Sequence, residues 1–179
     1  MVYMFLANGF EEVEALCPLD LLRRAGVEVT TVGIGAEQIT GSHGITVQAD
    51  ISDAFYTDSA PDMIILPGGM PGSKNLDASR TVDTAIKAAA RRGAFIGAIC
   101  AAPFLLGKRG LLAGKRAICY PGFEGELSGA EIAKERVVRD GNIITAAGMG
   151  VALEFGLALV TALKGEETAD NLRRAVLAD

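Results

Sequence analysis

Short unbroken apolar runs alternate along the chain with longer amphipathic stretches. Val2–Leu6 and Glu28–Gly33 have the make-up of strands. Met63–Leu66 carries no polar residue at all and stops at Pro67-Gly68-Gly69, as a parallel strand buried on both faces should. Ala94–Ile99 repeats that pattern and stops at Cys100. Ile45–Ala49, Arg116–Cys119, Val137–Arg139 and Ile143–Thr145 are further strands, the last two joined through the hairpin signal Asp140-Gly141. Between them lie helical patterns. Glu12–Ala25 has apolar positions at Val13, Leu16, Leu19, Leu21 and Leu22 and stops at Gly26. Thr81–Arg92 stops at Gly93, Ala101–Arg109 follows Cys100 directly, and Val151–Leu163 and Glu166–Leu177 close the chain. This alternation predicts one α/β domain over residues 1–179, with a mainly parallel sheet, right-handed crossovers and helices on both faces. Ligands in such sheets sit beyond the carboxyl ends of the strands. Asn8–Glu14, Gly68-Gly69 and Cys100 all collect at that edge.

Composition narrows the partners. Half of the 179 residues are hydrophobic, 22% are charged and the net charge is −5. A mildly acidic chain with no Trp and no basic stripe has no footprint for nucleic acid. No apolar run approaches the roughly 18 residues of a membrane span. The opening MVYMFL lacks a basic flank, so it suits a first strand better than a signal peptide. Cys17, Cys100 and Cys119 are odd in number and dispersed, which excludes a disulfide framework or a CxxC pair. A reducing cytoplasm is the expected compartment.

The chemistry centres on Ala98-Ile99-Cys100-Ala101-Ala102, where a strand meets a cysteine and small residues open a helix. That is the layout of a nucleophile elbow. A helix N-terminus would favour the thiolate, and the Ala101 N–H would face whatever the sulfur attacks. Taken alone, a free cysteine is more often a packing residue. Gly68-Gly69 strengthens the functional reading, because free N–H groups at that turn could stabilise an oxyanion. No phosphate loop occurs. Glu11 and Glu12 are accounted for by the helix dipole. Glu14 lies close to the inner face marked by Val13 and Leu16; burial would raise its pKa and let it donate a hydrogen bond to a thiolate. The only histidine, His43, sits in a Thr-Gly-Ser-His-Gly turn and is expected to be a surface residue. One histidine and scattered cysteines argue against a zinc site and against a Cys-His protease or amidotransferase.

Four segments together, NGFEEVEALCPLDLLRRAGVEVT, DMIILPGGMPGSKNL, FIGAICAAPFLL and AAGMGVALEFGLALVTAL, resemble the ThiJ/PfpI (DJ-1/PfpI) superfamily. The resemblance spans essentially the whole chain. It points to the clade of bacterial ThiJ-type, YajL-like proteins and the human Parkinson-disease protein deglycase. It implies a flavodoxin-like three-layer α/β/α sandwich of the class I glutamine amidotransferase type, a homodimer, and no cofactor or metal. It places Cys100 as nucleophile, Glu14 as the acid beside it, and Gly68, Gly69 and Ala101 as backbone donors. Arg24 and Ser42-His43 match positions near the dimer interface of relatives, so His43 could act across it. The implied function is a cysteine-dependent stress response against small reactive carbonyls, by glutathione-independent glyoxalase or deglycase chemistry. The alternative is a redox sensor whose Cys100 oxidises to the sulfinate. Three departures reshape the pocket. Tyr120 stands where relatives of the human protein carry histidine, His43 replaces an arginine, and Gly148-Met149-Gly150 replaces a Gly-Pro-Gly wall. The expected pocket residues are therefore Tyr120, His43, Arg24 and Met149. Cys17 and Cys119 are expected to be packing residues rather than resolving thiols.

Overall fold

The computed structural model describes residues 1–57 and 60–178. Its elements run β1 (Val2–Leu6), α1 (Glu12–Arg24), β2 (Val29–Gly33), β3 (Gln38–Thr40), β4 (Thr46–Gln48) and β5 (Ile51–Ser52). Next come β6 (Met63–Leu66), α2 (Gly72–Ala78), α3 (Arg80–Arg92), β7 (Phe95–Ile99), α4 (Pro103–Gly107), β8 (Arg116–Ala117) and β9 (Glu131–Ile132). The chain ends with β10 (Val137–Asp140), β11 (Ile143–Ala146), α5 (Ala152–Lys164) and α6 (Glu166–Ala175).

Seven strands build one sheet in the order β10-β11-β7-β6-β1-β2-β5. Every neighbour pair is parallel except β10 and β11, which fold back on each other across Asp140-Gly141 as the sequence predicts. The central strands β6 and β7 are apolar throughout because helices cover both their faces. On one face, Leu22, Phe155 and Leu172 of α1, α5 and α6 pack with Met4, Met63 and Ile65. On the other, Leu76, Ile86 and Leu105 of α2, α3 and α4 pack with Phe5, Ile64 and Ile96. The result is the three-layer sandwich expected. Arg109 braces the second layer: it donates to Asp77 at 2.8 Å, to Asp83 at 2.9 Å and to the Leu105 carbonyl at 2.8 Å. This ties α4, which follows the cysteine, to α2, which follows Gly68-Gly69.

The structure corrects several boundaries. The helix expected over 101–109 shortens to α4, because a turn spans Cys100–Ala102 before Pro103 opens the helix. The strand expected over 116–119 shortens to β8, which pairs with β9 outside the main sheet. The Ile45–Ala49 strand becomes β4, paired antiparallel with β3 in a separate hairpin. Among the described residues, no helix is long and apolar enough to cross a membrane.

Candidate active site

Three consecutive parts of the sheet edge meet around Cys100. The strand register sets Leu66 beside Ala98 and Ala146 beside Ile99, so the turns after β6, β7 and β11 emerge side by side. Cys100 itself has φ +64°, a left-handed conformation that costs an L-residue of order 1 kcal/mol and persists only where the surroundings impose it. Its N–H donates to the Ala146 carbonyl at 2.9 Å, and its carbonyl accepts from Tyr120 N–H at 2.8 Å. These two bonds pin the elbow from both sides. The N–H groups of Gly69 and Ala101 are directed at the Cys100 sulfur.

Glu14 reaches the same point from the first turn of α1. Its side chain is 0% exposed. Glu11 caps the helix by accepting the Glu14 N–H at 2.8 Å, and Glu11 N–H donates to the Gly68 carbonyl at 3.0 Å. Gly68 returns the contact by donating to Glu14 Oε2 at 3.0 Å. The Cys100 thiol lies against the same carboxyl group, yet Oε1 has no hydrogen-bond partner of full geometry. Burial pushes the Glu14 pKa up to about 7, against smaller opposing effects from Cys100 and Gly68.

The thiol behaves differently from the expectation. Burial first, then the neighbouring Glu14 charge, pushes Cys100 up to about 12. The five residues of α4 begin three positions beyond the sulfur, so helix-dipole activation is slight. Between pH about 7 and about 12 the pair holds one proton between them. With that proton on Glu14, the sulfur carries the charge and keeps the Gly69 and Ala101 N–H groups as donors.

A match to the DJ-1/PfpI family model covers residues 1–162. The chain belongs to the DJ-1/PfpI family. Protein dj-1beta of Drosophila melanogaster is 36% identical over 177 residues, covering 97% of this chain and 95% of its own length. A Caenorhabditis elegans protein named glutathione-independent glyoxalase DJR-1.2 is 31% identical over 164 residues, covering 90% of this chain and 87% of its own. The solved structure of oxidized Toxoplasma gondii DJ-1 superposes with a TM-score of 0.94 at 34% identity, covering 98% of this chain and 97% of that one.

The remaining residues of this DJ-1/PfpI site divide clearly. Tyr120 is exposed, with its segment anchored where Ile118 N–H donates to the buried Thr145 hydroxyl at 3.0 Å. Met149 is exposed beside Gly148. Arg24 does not join the site: it lies at the far end of α1, paired with Asp20 at 2.6 Å. Cys17 shares a surface groove with Arg24, and Cys119 is buried. Burial and nearby acids raise both of these thiols. Val13, read as part of the inner face, is 44% exposed, because α1 instead turns Glu14, Ala15, Pro18, Leu21 and Leu22 inward. A cavity of about 800 Å³ opens at the opposite end of the sheet around Met1, Gly26 and Phe95 and holds none of these groups.

His43 is exposed, as expected, and its ring Nδ1 is hydrogen-bonded to Glu12. Sequence reasoning missed this role for Glu12, since its partners lie about thirty positions away. Glu12 is buried and accepts His43 N–H at 2.7 Å, His43 Nδ1 at 2.9 Å and Ile45 N–H at 3.4 Å. Burial acts to raise its pKa, but these bonds outweigh it and hold the carboxylate at about 2. Glu11, Glu12 and His43 present ligand-type atoms within 4.8 Å of one another; hydrogen bonds to backbone already occupy one oxygen of each carboxylate. As the sole imidazole, His43 gives a single titration curve. Its midpoint is expected above 6.5, held there by the Glu12 hydrogen bond, and to fall in Glu12→Gln. An unchanged midpoint by NMR would disprove the contact.

Proposed function

We propose that the chain converts small 2-oxoaldehydes such as methylglyoxal into 2-hydroxy acids without glutathione. The observation that carries this reading is the buried Glu14 carboxyl, tied to Gly68 through one oxygen and set against the Cys100 thiol. The C. elegans relative's printed name agrees in reaction class. Histidine-based chemistry has no support among the described contacts, where His43 meets Ser42, Glu11 and Glu12.

The reaction runs as follows. The Cys100 thiolate adds to the aldehyde carbon and forms a C–S bond, and the carbonyl oxygen becomes an alkoxide facing the Gly69 and Ala101 N–H groups. Glu14 protonates that oxygen to complete the hemithioacetal. The Glu14 carboxylate then takes the proton from C1 and returns one to C2, through an enediol, which gives a thioester of the 2-hydroxy acid. Water cleaves the C–S bond, releasing lactate and restoring the shared proton. The sum is methylglyoxal plus water to lactic acid, with no external oxidant.

Redox sensing would use the same sulfur and N–H donors. The buried carboxyl group beside the thiol, able to take and return a proton, is what favours turnover. The test is lactate production from methylglyoxal with no thiol added. Wild type is expected to form lactate and Cys100→Ala to form none above the uncatalysed rate. Equal rates for the two proteins would overturn the proposal.

A further inference from the structure

Two peptide groups flank Cys100, and each is held in place separately. The one before it is fixed through the Cys100 N–H, which donates to the Ala146 carbonyl of β11 at 2.9 Å. The one after it carries the Cys100 carbonyl at one end and the Ala101 N–H at the other. A trans peptide is planar and points these two groups in opposite directions. Tyr120 N–H donates to that carbonyl at 2.8 Å, and the Ala101 N–H faces the sulfur. The aim of this donor is therefore only as firm as the hold on Tyr120.

That hold leads back to one side chain. β8 ends at Ala117 and pairs with β9 outside the main sheet, so no ladder carries residues 118–120 along β11. The hydroxyl of Thr145 on β11 stands in for a strand carbonyl and accepts the Ile118 N–H at 3.0 Å. Thr145 is 1% exposed and lies in register with Ala98, two residues before the cysteine. Among the described residues, this bond and the Tyr120–Cys100 bond are the two that join the backbone of residues 118–120 to the sheet and its elbow. Deprived of its acceptor, the Ile118 N–H would have to turn toward another, and the segment would turn with it.

We propose that Thr145 is a positioning residue: its hydroxyl, acting through Ile118 and Tyr120, aims the Ala101 N–H at the oxygen that becomes negative during turnover. Thr145 itself touches no reacting atom. The inference rests on the aldehyde reading above, in which that N–H meets the alkoxide formed as the sulfur adds to the carbonyl. Thr145→Val keeps the branched shape and removes the acceptor, whereas Thr145→Ser keeps the acceptor and removes the methyl.

Thr145→Val is expected to lower kcat on methylglyoxal about a hundredfold, the loss that follows when one oxyanion donor is removed. KM is expected to stay unchanged, because the bond to the alkoxide is made only in the transition state. Thr145→Ser is expected to restore most of the rate. A second readout needs no turnover: the pH midpoint of Cys100 alkylation by iodoacetamide, followed by peptide mass mapping. It is expected to move upward in Thr145→Val, as the sulfur loses a donor, and to stay in place in Thr145→Ser. Thr145→Ala, which also lacks the acceptor, serves in the same way should the valine variant not fold. A lower unfolding temperature with kcat and the alkylation midpoint unmoved would overturn the proposal. So would a serine variant as impaired as the valine one. A wild type that forms no lactate would overturn the aldehyde reading alone, and the alkylation midpoint would then decide the role of Thr145.

Discussion

Glu14→Gln is expected to make the folded chain more stable by about 3 kcal/mol at pH 8 while lowering lactate formation about a thousandfold. Folding moves the Glu14 carboxyl from its ordinary 4.5 to about 7. A folded state that holds a proton more tightly than the unfolded chain loses stability as pH rises from 4.5 to 7, and the whole cost persists above 7. Glutamine carries no charge to desolvate. Its oxygen keeps the Gly68 N–H, and its amide takes the position of the unpartnered Oε1. The gain should therefore be absent at pH 4.5 and complete by pH 8, which urea unfolding at the two values measures. Turnover falls because glutamine cannot carry a proton from C1 to C2. In wild type, kcat/KM is expected to climb as pH passes about 7, where the pair gives up its first proton. The same variant should lose that rise. Equal stability at pH 8 would show that Glu14 pays no burial penalty, and a retained pH profile that it does not handle the proton.

Gly68→Ala is expected to damage both properties together. The added methyl would meet Glu14 Oε2 at 2.3 Å, Cys100 Cβ at 2.6 Å and the Ile99 carbonyl at 2.9 Å. None of these can yield easily: Ile99 ends β7, Cys100 is the elbow after it, and the carboxyl is held by the Gly68 N–H itself. Overpacking of this kind costs about 1–3 kcal/mol. Displacing the carboxyl by a fraction of an ångström from the sulfur should lower kcat/KM about a hundredfold. Denaturation midpoints and methylglyoxal kinetics check the two effects. A variant with wild-type values for both would mean that the carboxyl and the thiol are not packed against this turn.

Much of this site was legible from local pattern. Met63–Leu66 and Ala94–Ile99 announce themselves as buried parallel strands, and each ends at the residues that matter. The antiparallel return at Asp140-Gly141 was equally plain. What local pattern could not supply were contacts between distant segments. Glu12 resembles any acidic residue in a first helical turn until the 41–45 turn is folded onto it. Val13 fits the apolar spacing of α1, but the contact face is set by the packing of α1 against α5, which runs through Pro18 and Gly156. The helix α2 has only Leu76 as a large buried side chain, too little periodicity to read. The thiol's ionisation went astray for a related reason. A dipole argument assumes a full helix beginning at the sulfur, whereas burial and a facing carboxyl decide the balance here.

The strand register described above divides the centre into a fixed half and an exchangeable half. Cys100, Gly68 and Glu14 hang on the ends of buried neighbouring elements, where a small shift in one moves the others. Tyr120 and Gly148 stand on connecting segments, and the latter tolerates a larger residue without backbone strain. A change of side chain at these connecting segments can thus leave the cysteine and the carboxyl where they are.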